Sequence, residues 1–136
     1  MMRTAPGGPA PAGSLVAIVD DEQLVRSATS SLLRSLGFEC RMFESAEALL
    51  LQDLGSFACV LSDIQMPGMS GVALAQRILE RDGHPPVVLM SAYPNEQALD
   101  LRDRRVVVAL LDKPLDSDLL HATIAGAVRN ARSDAG

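Results

Sequence analysis

The sequence is poor in the residues that build cross-linked or zinc-clustered folds. It holds two cysteines, Cys40 and Cys59, in 136 residues. These are too few for a disulfide framework, and their separation matches no zinc-ligand spacing. Each falls in a segment that reads as a strand, where a thiol acts as a small buried hydrophobe. Basic residues are outnumbered: 12 Lys and Arg against 17 Asp and Glu leave a formal net charge of −5. That deficit excludes nonspecific nucleic-acid binding by this segment, which needs a basic face. No apolar run is long enough to span a bilayer. Residues 1–14 are rich in Pro, Gly and Ala and lack the apolar core of a secretory signal. They are expected to form a flexible tail, and the cytoplasm is the expected compartment. No internal repeat is present. His84 lies beside Pro85-Pro86 in a loop and His121 on the last helix. Both are expected at ordinary surface or boundary positions.

What is present is apolar material in short, regular packets. The chain is 48% apolar and long enough for one domain with one hydrophobic core. Leu15–Val19, Phe38–Phe43, Ala58–Ser62, Pro86–Met90 and Val106–Leu111 read as strands. Between and after them, Gln23–Leu36, Ser45–Gln52, Gly71–Arg81, Pro94–Arg102 and Asp116–Asn130 read as helices. Strand alternating with helix predicts an α/β fold: a doubly wound five-stranded parallel sheet with helices on both faces. The favoured strand order is 2-1-3-4-5, which places a ligand site at the carboxyl ends of the first and third strands. In that order Cys40 and Cys59 are separated by an intervening strand, roughly 10 Å apart and beyond disulfide reach. The domain is expected over residues 15–130, with Ala131 to Gly136 as a tail or the start of a linker.

The strand ends carry the chemistry. Asp20 and Asp21 end the first strand, Asp63 the third, and Lys113 follows the fifth. Clustered carboxylates resist ionising together, and a hard divalent cation relieves their repulsion. Magnesium takes one or two carboxylates plus phosphate oxygens and waters. Asp20, Asp21 and Asp63 fit that description, with a backbone carbonyl from the loop after Asp63. An aspartate can also attack phosphorus to form an acyl phosphate, with Lys113 supplying charge against the phosphoryl oxygens. Ser91, just past the fourth strand, offers a hydroxyl.

Four segments together resemble a known family. They are Val19-Asp20-Asp21-Glu22, Asp63-Ile64-Gln65-Met66-Pro67-Gly68-Met69-Ser70-Gly71, Ser91-Ala92 and Lys113-Pro114. In order and spacing the chain resembles the receiver domain of two-component response regulators, the CheY-like superfamily, from about Leu15 to Asn130. The stretch Val19–Leu49 looks most like the FixJ-type branch. The resemblance implies that Asp63 is the phosphoacceptor, served by a sensor histidine kinase. It implies that Asp21, Asp20 through water, Asp63 and the Gln65 carbonyl hold magnesium. Lys113, Ser91 and Ala92 would face the phosphoryl group, and Ser91 would act as the switch hydroxyl. The Lys113–Pro114 peptide is expected to be cis. Gln65 and Tyr93 sit where the family tunes dephosphorylation.

Two departures from the family pattern stand out. Leu110 occupies the switch position three residues before the lysine, where the family usually has Phe or Tyr, so no ring is available to swing. Arg104-Arg105-Val106-Val107 replaces a common Gly-Ala, and a left-handed helix stop without glycine is costlier. A short, weakly anchored fourth helix is therefore expected, with the face from the fourth to the fifth helix as a mobile output or homodimer surface. Three functions are open to the chain: a phosphorylation-controlled receiver, a phosphorylation-independent interaction module, and an aspartate-nucleophile phosphohydrolase. The last is disfavoured because Gln65 stands where such chemistry needs a second acid. Self-phosphorylation with slow self-dephosphorylation is expected, without metabolic turnover. Both a single-domain protein and a regulator with a DNA-binding output domain in a longer native chain fit these residues.

Overall fold

The strands form because their apolar runs are bounded by turn residues and can be covered on both faces. In the computed structural model, residues 14–135 are described, with side chains through Ala131. The elements in chain order are β1 (Leu15–Val19), α1 (Gln23–Ser35), β2 (Glu39–Phe43), α2 (Ala46–Leu50), a 3-10 turn (Leu54–Ser56), β3 (Cys59–Asp63), α3 (Gly71–Leu79), β4 (Val87–Ser91), α4 (Glu96–Asp103), β5 (Ala109–Asp112) and α5 (Ser117–Ala135). The five strands are parallel and lie in the order β2-β1-β3-β4-β5. The expected α/β architecture and strand order are therefore those observed. Residues 1–13, most of the stretch read as a tail, lie outside the described residues.

Side chains alternate across the sheet, as a strand's period of two requires. On one face Ala17, Val19, Val60, Val87 and Leu89 pack with α2, α3 and α4. On the other, Val16, Ile18, Leu61, Val88 and Met90 pack with α1 and α5. Val16 is in register with Cys40 on one side and Cys59 on the other, so β1 separates the two thiols, and both are free. His121 of α5 lies against Phe38 with ring centroids 5.9 Å apart, a boundary position. No helix among the described residues is long and apolar enough to cross a membrane.

The fifth strand starts later than its apolar run suggests. Val106–Leu111 was the sequence expectation, but pairing with β4 covers Ala109–Asp112. The reason lies in how α4 ends. Arg105 N–H donates to the Arg102 carbonyl at 3.0 Å and Val106 N–H to the Leu101 carbonyl at 2.8 Å. This is a Schellman closure, and it puts Arg105 in the left-handed region at φ 60°. The chain must then turn at Val106 and Val107, and Val107 buries its side chain as a loop plug in the core beside Leu101. Helix α4 is short, as expected, but it is anchored by buried Ala98 and Leu101, against the expectation of a weakly anchored helix. Asn95 caps it by accepting the Ala98 N–H at 2.8 Å.

Three smaller differences involve helix faces and ends. In α1 the residues buried are Thr29, Ser30 and Leu33, whereas the apolar Ala28 is exposed. In α5, Leu119 is half exposed and Ala122 exposed. Helix α5 also continues past Asn130 to Ala135, so the stretch read as a linker start begins as helix.

Candidate functional site

Parallel strands joined by right-handed crossovers bring all their carboxyl ends to one edge of the sheet. β1, β3 and β5 deliver Asp20, Asp63 and Lys113 there. Asp20 follows β1 directly, and its N–H donates to the Phe43 carbonyl at 3.2 Å, extending the β1–β2 ladder by one rung. Its side chain is fully buried. Oδ1 accepts the Glu22 N–H at 3.0 Å, and Oδ2 takes the Lys113 ammonium at 3.1 Å. Asp63, the last residue of β3, is 7% exposed. Its Oδ1 accepts the Ile64 N–H at 3.0 Å and contacts Lys113 Nζ at 3.3 Å. Oδ2 makes no such contact among the described residues. Lys113 is itself set by its N–H, which donates to the Ser91 carbonyl at 3.1 Å. The Lys113–Pro114 peptide is cis.

The loop after β3 closes tightly over Asp63. Gly71 N–H donates to the Ile64 carbonyl at 2.8 Å. A Cβ on Gly71 would stand 2.1 Å from the Asp63 carbonyl oxygen. Glycine here is a steric requirement, and it explains why the motif ends in Ser70-Gly71, with Ser70 capping α3 by accepting the Ala73 N–H at 3.1 Å.

Electrostatically the pocket is under-compensated. Asp20, Asp21 and Asp63 each offer an oxygen within 4.8 Å of the others. The Lys113 ammonium and the nearby Arg26 guanidinium face three carboxylates, which leaves a net negative charge, with Asp20 and Asp63 buried and Asp21 exposed. Burial is the main cause that pushes the Asp63 carboxyl above its ordinary value. Lys113 opposes that rise and Asp20 adds to it. For Lys113, burial favours the neutral amine, but the hydrogen bond to Asp20 and the charges of Asp63 and Asp20 outweigh it, and its pKa is raised. An all-oxygen, net-negative set with one exposed member, Asp21, suits a hard divalent cation that keeps waters.

The other expected residues fall around this centre unevenly. Ser91 ends β4 beside β3 and is buried, but its Oγ accepts the Tyr93 N–H at 3.0 Å rather than reaching Asp63. Ala92 follows it and is exposed. Gln65 is exposed in the loop, and Tyr93 is 78% exposed. Leu110 lies on β5 opposite Leu89 and packs, half buried, on the α4 side of the sheet. Two residues escaped the sequence reading. Arg26 Nη1, in the first turns of α1, donates to the Asp20 carbonyl at 2.6 Å. Glu47 of α2 accepts the Met69 N–H of the loop at 3.3 Å. Arg26 stands five residues past Asp21, in the first turn of α1, a position that could have flagged it; Glu47 carries no local signal. Beside Lys113, α1 and the chain after β5 enclose an apolar groove of about 610 Å³, lined by Leu24, Val25, Ala28, Leu32, Pro114 and Leu115.

Comparison with known proteins agrees with this geometry. The family model described as the response regulator receiver domain matches residues 16–125. The transcriptional regulatory protein FixJ of Bradyrhizobium diazoefficiens is 33% identical over 115 residues, covering 84% of this chain and 56% of that protein. The transcriptional regulatory protein TdiR of Thauera aromatica is 35% identical over 119 residues, covering 86% of this chain and 52% of that protein. The chain thus spans about half the length of these curated relatives. A receiver domain protein of Clostridium thermocellum superposes with a TM-score of 0.80 at 20% identity over 88% of this chain and 98% of that one, a likeness that speaks for the fold. Sheet order, acid cluster and family match converge: the chain belongs to the response regulator receiver domain family of two-component signalling.

Proposed function

We propose that Asp63 accepts a phosphoryl group from a phosphohistidine on a sensor histidine kinase, in a magnesium-dependent reaction, and that the acyl phosphate shifts the domain between two conformations. The observation that carries this reading is the buried Asp63 carboxylate, held at Oδ1 by Ile64 N–H and Lys113 and within 4.8 Å of Asp20 and Asp21. The new bond joins an Asp63 oxygen to phosphorus. The bond from phosphorus to the donor nitrogen breaks, and the imidazole leaves with its electron pair and then takes a proton. Asp20, Asp21, Asp63 and the Gln65 carbonyl would hold the magnesium, which when bound supplies positive charge against the phosphoryl oxygens. Lys113 supplies a second positive charge from the carboxyl end of β5. Ser91 and Ala92 border the space where the phosphoryl oxygens would lie. Ser91 acts as the switch hydroxyl by leaving Tyr93, and Leu110, with Gln65 and Tyr93, sets how the switch and its decay behave. The apolar groove beside Lys113 gives the donor protein a surface on the approach to the site.

The receiver is read as the amino-terminal part of a cytoplasmic regulator whose output domain binds DNA, in keeping with the transcriptional relatives that it half covers. Exposed Val108 and Leu119 beside half-buried Leu110 offer an apolar strip for a homodimer along α4, β5 and α5. Incubation with magnesium and a small acyl-phosphate donor, followed by intact-mass measurement, tests the central claim. One added phosphoryl group is expected, and none on Asp63→Asn. No addition to the wild type would leave the phosphorylation-independent module as the better reading. Sustained turnover of a phosphate ester would instead favour the hydrolase, which the non-acidic Gln65 argues against.

A further inference from the structure

The loop that follows Asp63 is held at its base by Gly71 and Ile64, and it is held at its tip from another element. Glu47 precedes Met69 by 22 residues, yet its Oε2 accepts the Met69 N–H at 3.3 Å. The adjoining Gly68 has φ +76°, and a Cβ there would approach the same Oε2 to 2.8 Å. The carboxylate therefore lies against bare backbone that a side chain would block. Glu47 projects from a fixed support. Ser45 caps α2 through the Ala48 N–H at 3.1 Å, Ala46 and Leu49 are fully buried, and Arg81 of the α3 end ties to the Leu50 carbonyl at 3.2 Å. Met66 and Met69 of the loop are themselves partly buried against the core. The segment between Asp63 and Gly71 is thus clamped between a core contact and a carboxylate that belongs to neither the acid cluster nor the phosphoryl pocket.

We propose that Glu47 is a positioning residue for the phosphorylation site: it fixes the backbone of the Gln65–Met69 stretch, and so the loop carbonyl that would complete the magnesium set. The proposal rests on the receiver reading above. Groups that orient a metal ligand without touching the metal control affinity through geometry, and removing one costs binding even when the fold stands.

Amide hydrogen exchange at Met69 in the metal-free protein, magnesium titration by calorimetry and thermal melting would be measured on wild type, Glu47→Ala, Glu47→Gln and Gly68→Ala. Glu47→Ala should speed Met69 exchange about tenfold and weaken magnesium binding about fivefold, with the metal-free melting temperature within about 3 °C of wild type. Glu47→Gln should stay near wild type, because its carbonyl oxygen still accepts the N–H. Gly68→Ala, which pushes against Oε2, should reproduce the loss of magnesium affinity. Wild-type exchange and affinity in Glu47→Ala would overturn the proposal, as would a Glu47→Gln protein as impaired as Glu47→Ala. Absence of magnesium binding by the wild type would sink the receiver-site reading instead, and Met69 exchange in the metal-free protein would still decide whether Glu47 holds the loop.

Discussion

Replacing Arg105 by glycine should stabilise the protein, an unusual expectation for a substitution that removes a side chain and adds backbone freedom. Arg105 stands at φ 60° with both Schellman hydrogen bonds formed, at 3.0 and 2.8 Å. A residue with a Cβ incurs about 1–2 kcal/mol in the left-handed region, from its clash with the following carbonyl. Glycine removes that strain but gives back roughly 0.5–1 kcal/mol through the extra freedom of its unfolded chain. The net gain is about 0.5–1 kcal/mol, or about 2–4 °C in melting temperature for a domain of this size. The side chain contributes little to offset it. The neighbouring exposed pairs, Arg102 with Asp103 and Arg104 with Asp100, leave Arg105 out, and exposed pairs are weak in any case. Urea denaturation is the assay, with Arg105→Ala as the control. Alanine retains the Cβ and should lie within about 0.5 kcal/mol of wild type, and the glycine variant should shift the midpoint at unchanged slope. A glycine variant no more stable than the alanine one would refute the strain argument. If the glycine variant also slows exchange of the Val106 amide, the weak point of the α4–β5 connection is located at that residue.

Four further outcomes follow from the site and core. Gly71→Ala, whose Cβ would sit 2.1 Å from the Asp63 carbonyl oxygen, should destabilise by about 3 kcal/mol or more, read as a loss of denaturation midpoint, and should abolish the magnesium response. Asp63→Asn should make the metal-free protein more stable at neutral pH. Burial holds the Asp63 pKa above its ordinary 3.8, so its protonated form favours the fold below that value and the benefit is lost as pH rises through the raised one. The advantage of the asparagine variant, followed by melts in chelator, should therefore be absent near pH 3, appear as pH rises from 3.8 through the raised value, and level off above it. Saturating magnesium should stabilise the wild type by about 2.7 kcal/mol at a hundredfold excess over its dissociation constant; an unmoved melting temperature would contradict the metal site. The Cys59 thiol, fully buried with its pKa pushed up to about 12, should resist alkylation at pH 9 until the protein unfolds. Because an unfolded thiol ionises near its ordinary 9.0, stability should fall by up to about 1.4 kcal/mol per pH unit between there and 12.

The sheet order was legible because continuous apolar strands and helical spacing leave few ways to cover both faces. The core of the site was legible because Asp20, Asp63 and Lys113 each occupy the carboxyl end of a strand, which topology alone brings to one edge. What was illegible depends on tertiary compensation. Val106 to Val108 look like strand, but a left-handed turn at Arg105 spends them on a loop plug and delays β5 to Ala109. Thr29 and Ser30 look like a solvent face, yet α1 buries them while Ala28 faces out. Glu47 looks like an ordinary charge in the first turn of a helix, and its bond to Met69 exists only once α2 and the β3–α3 loop are side by side. Ser91 was read as a donor towards the phosphoryl group; that its hydroxyl oxygen also accepts the N–H two residues on has no local signal.

That small hydrogen bond has a wider reach. Among the described residues the Tyr93 amide is held by Ser91 Oγ, and two residues later Asn95 begins the cap of α4. If the hydroxyl swings inward, the amide is left to water and the segment into α4 loses its tether at the same moment. A single side-chain rotation would then slacken the leading end of a helix, and the distance from chemistry to surface would be four residues of chain rather than an aromatic lever.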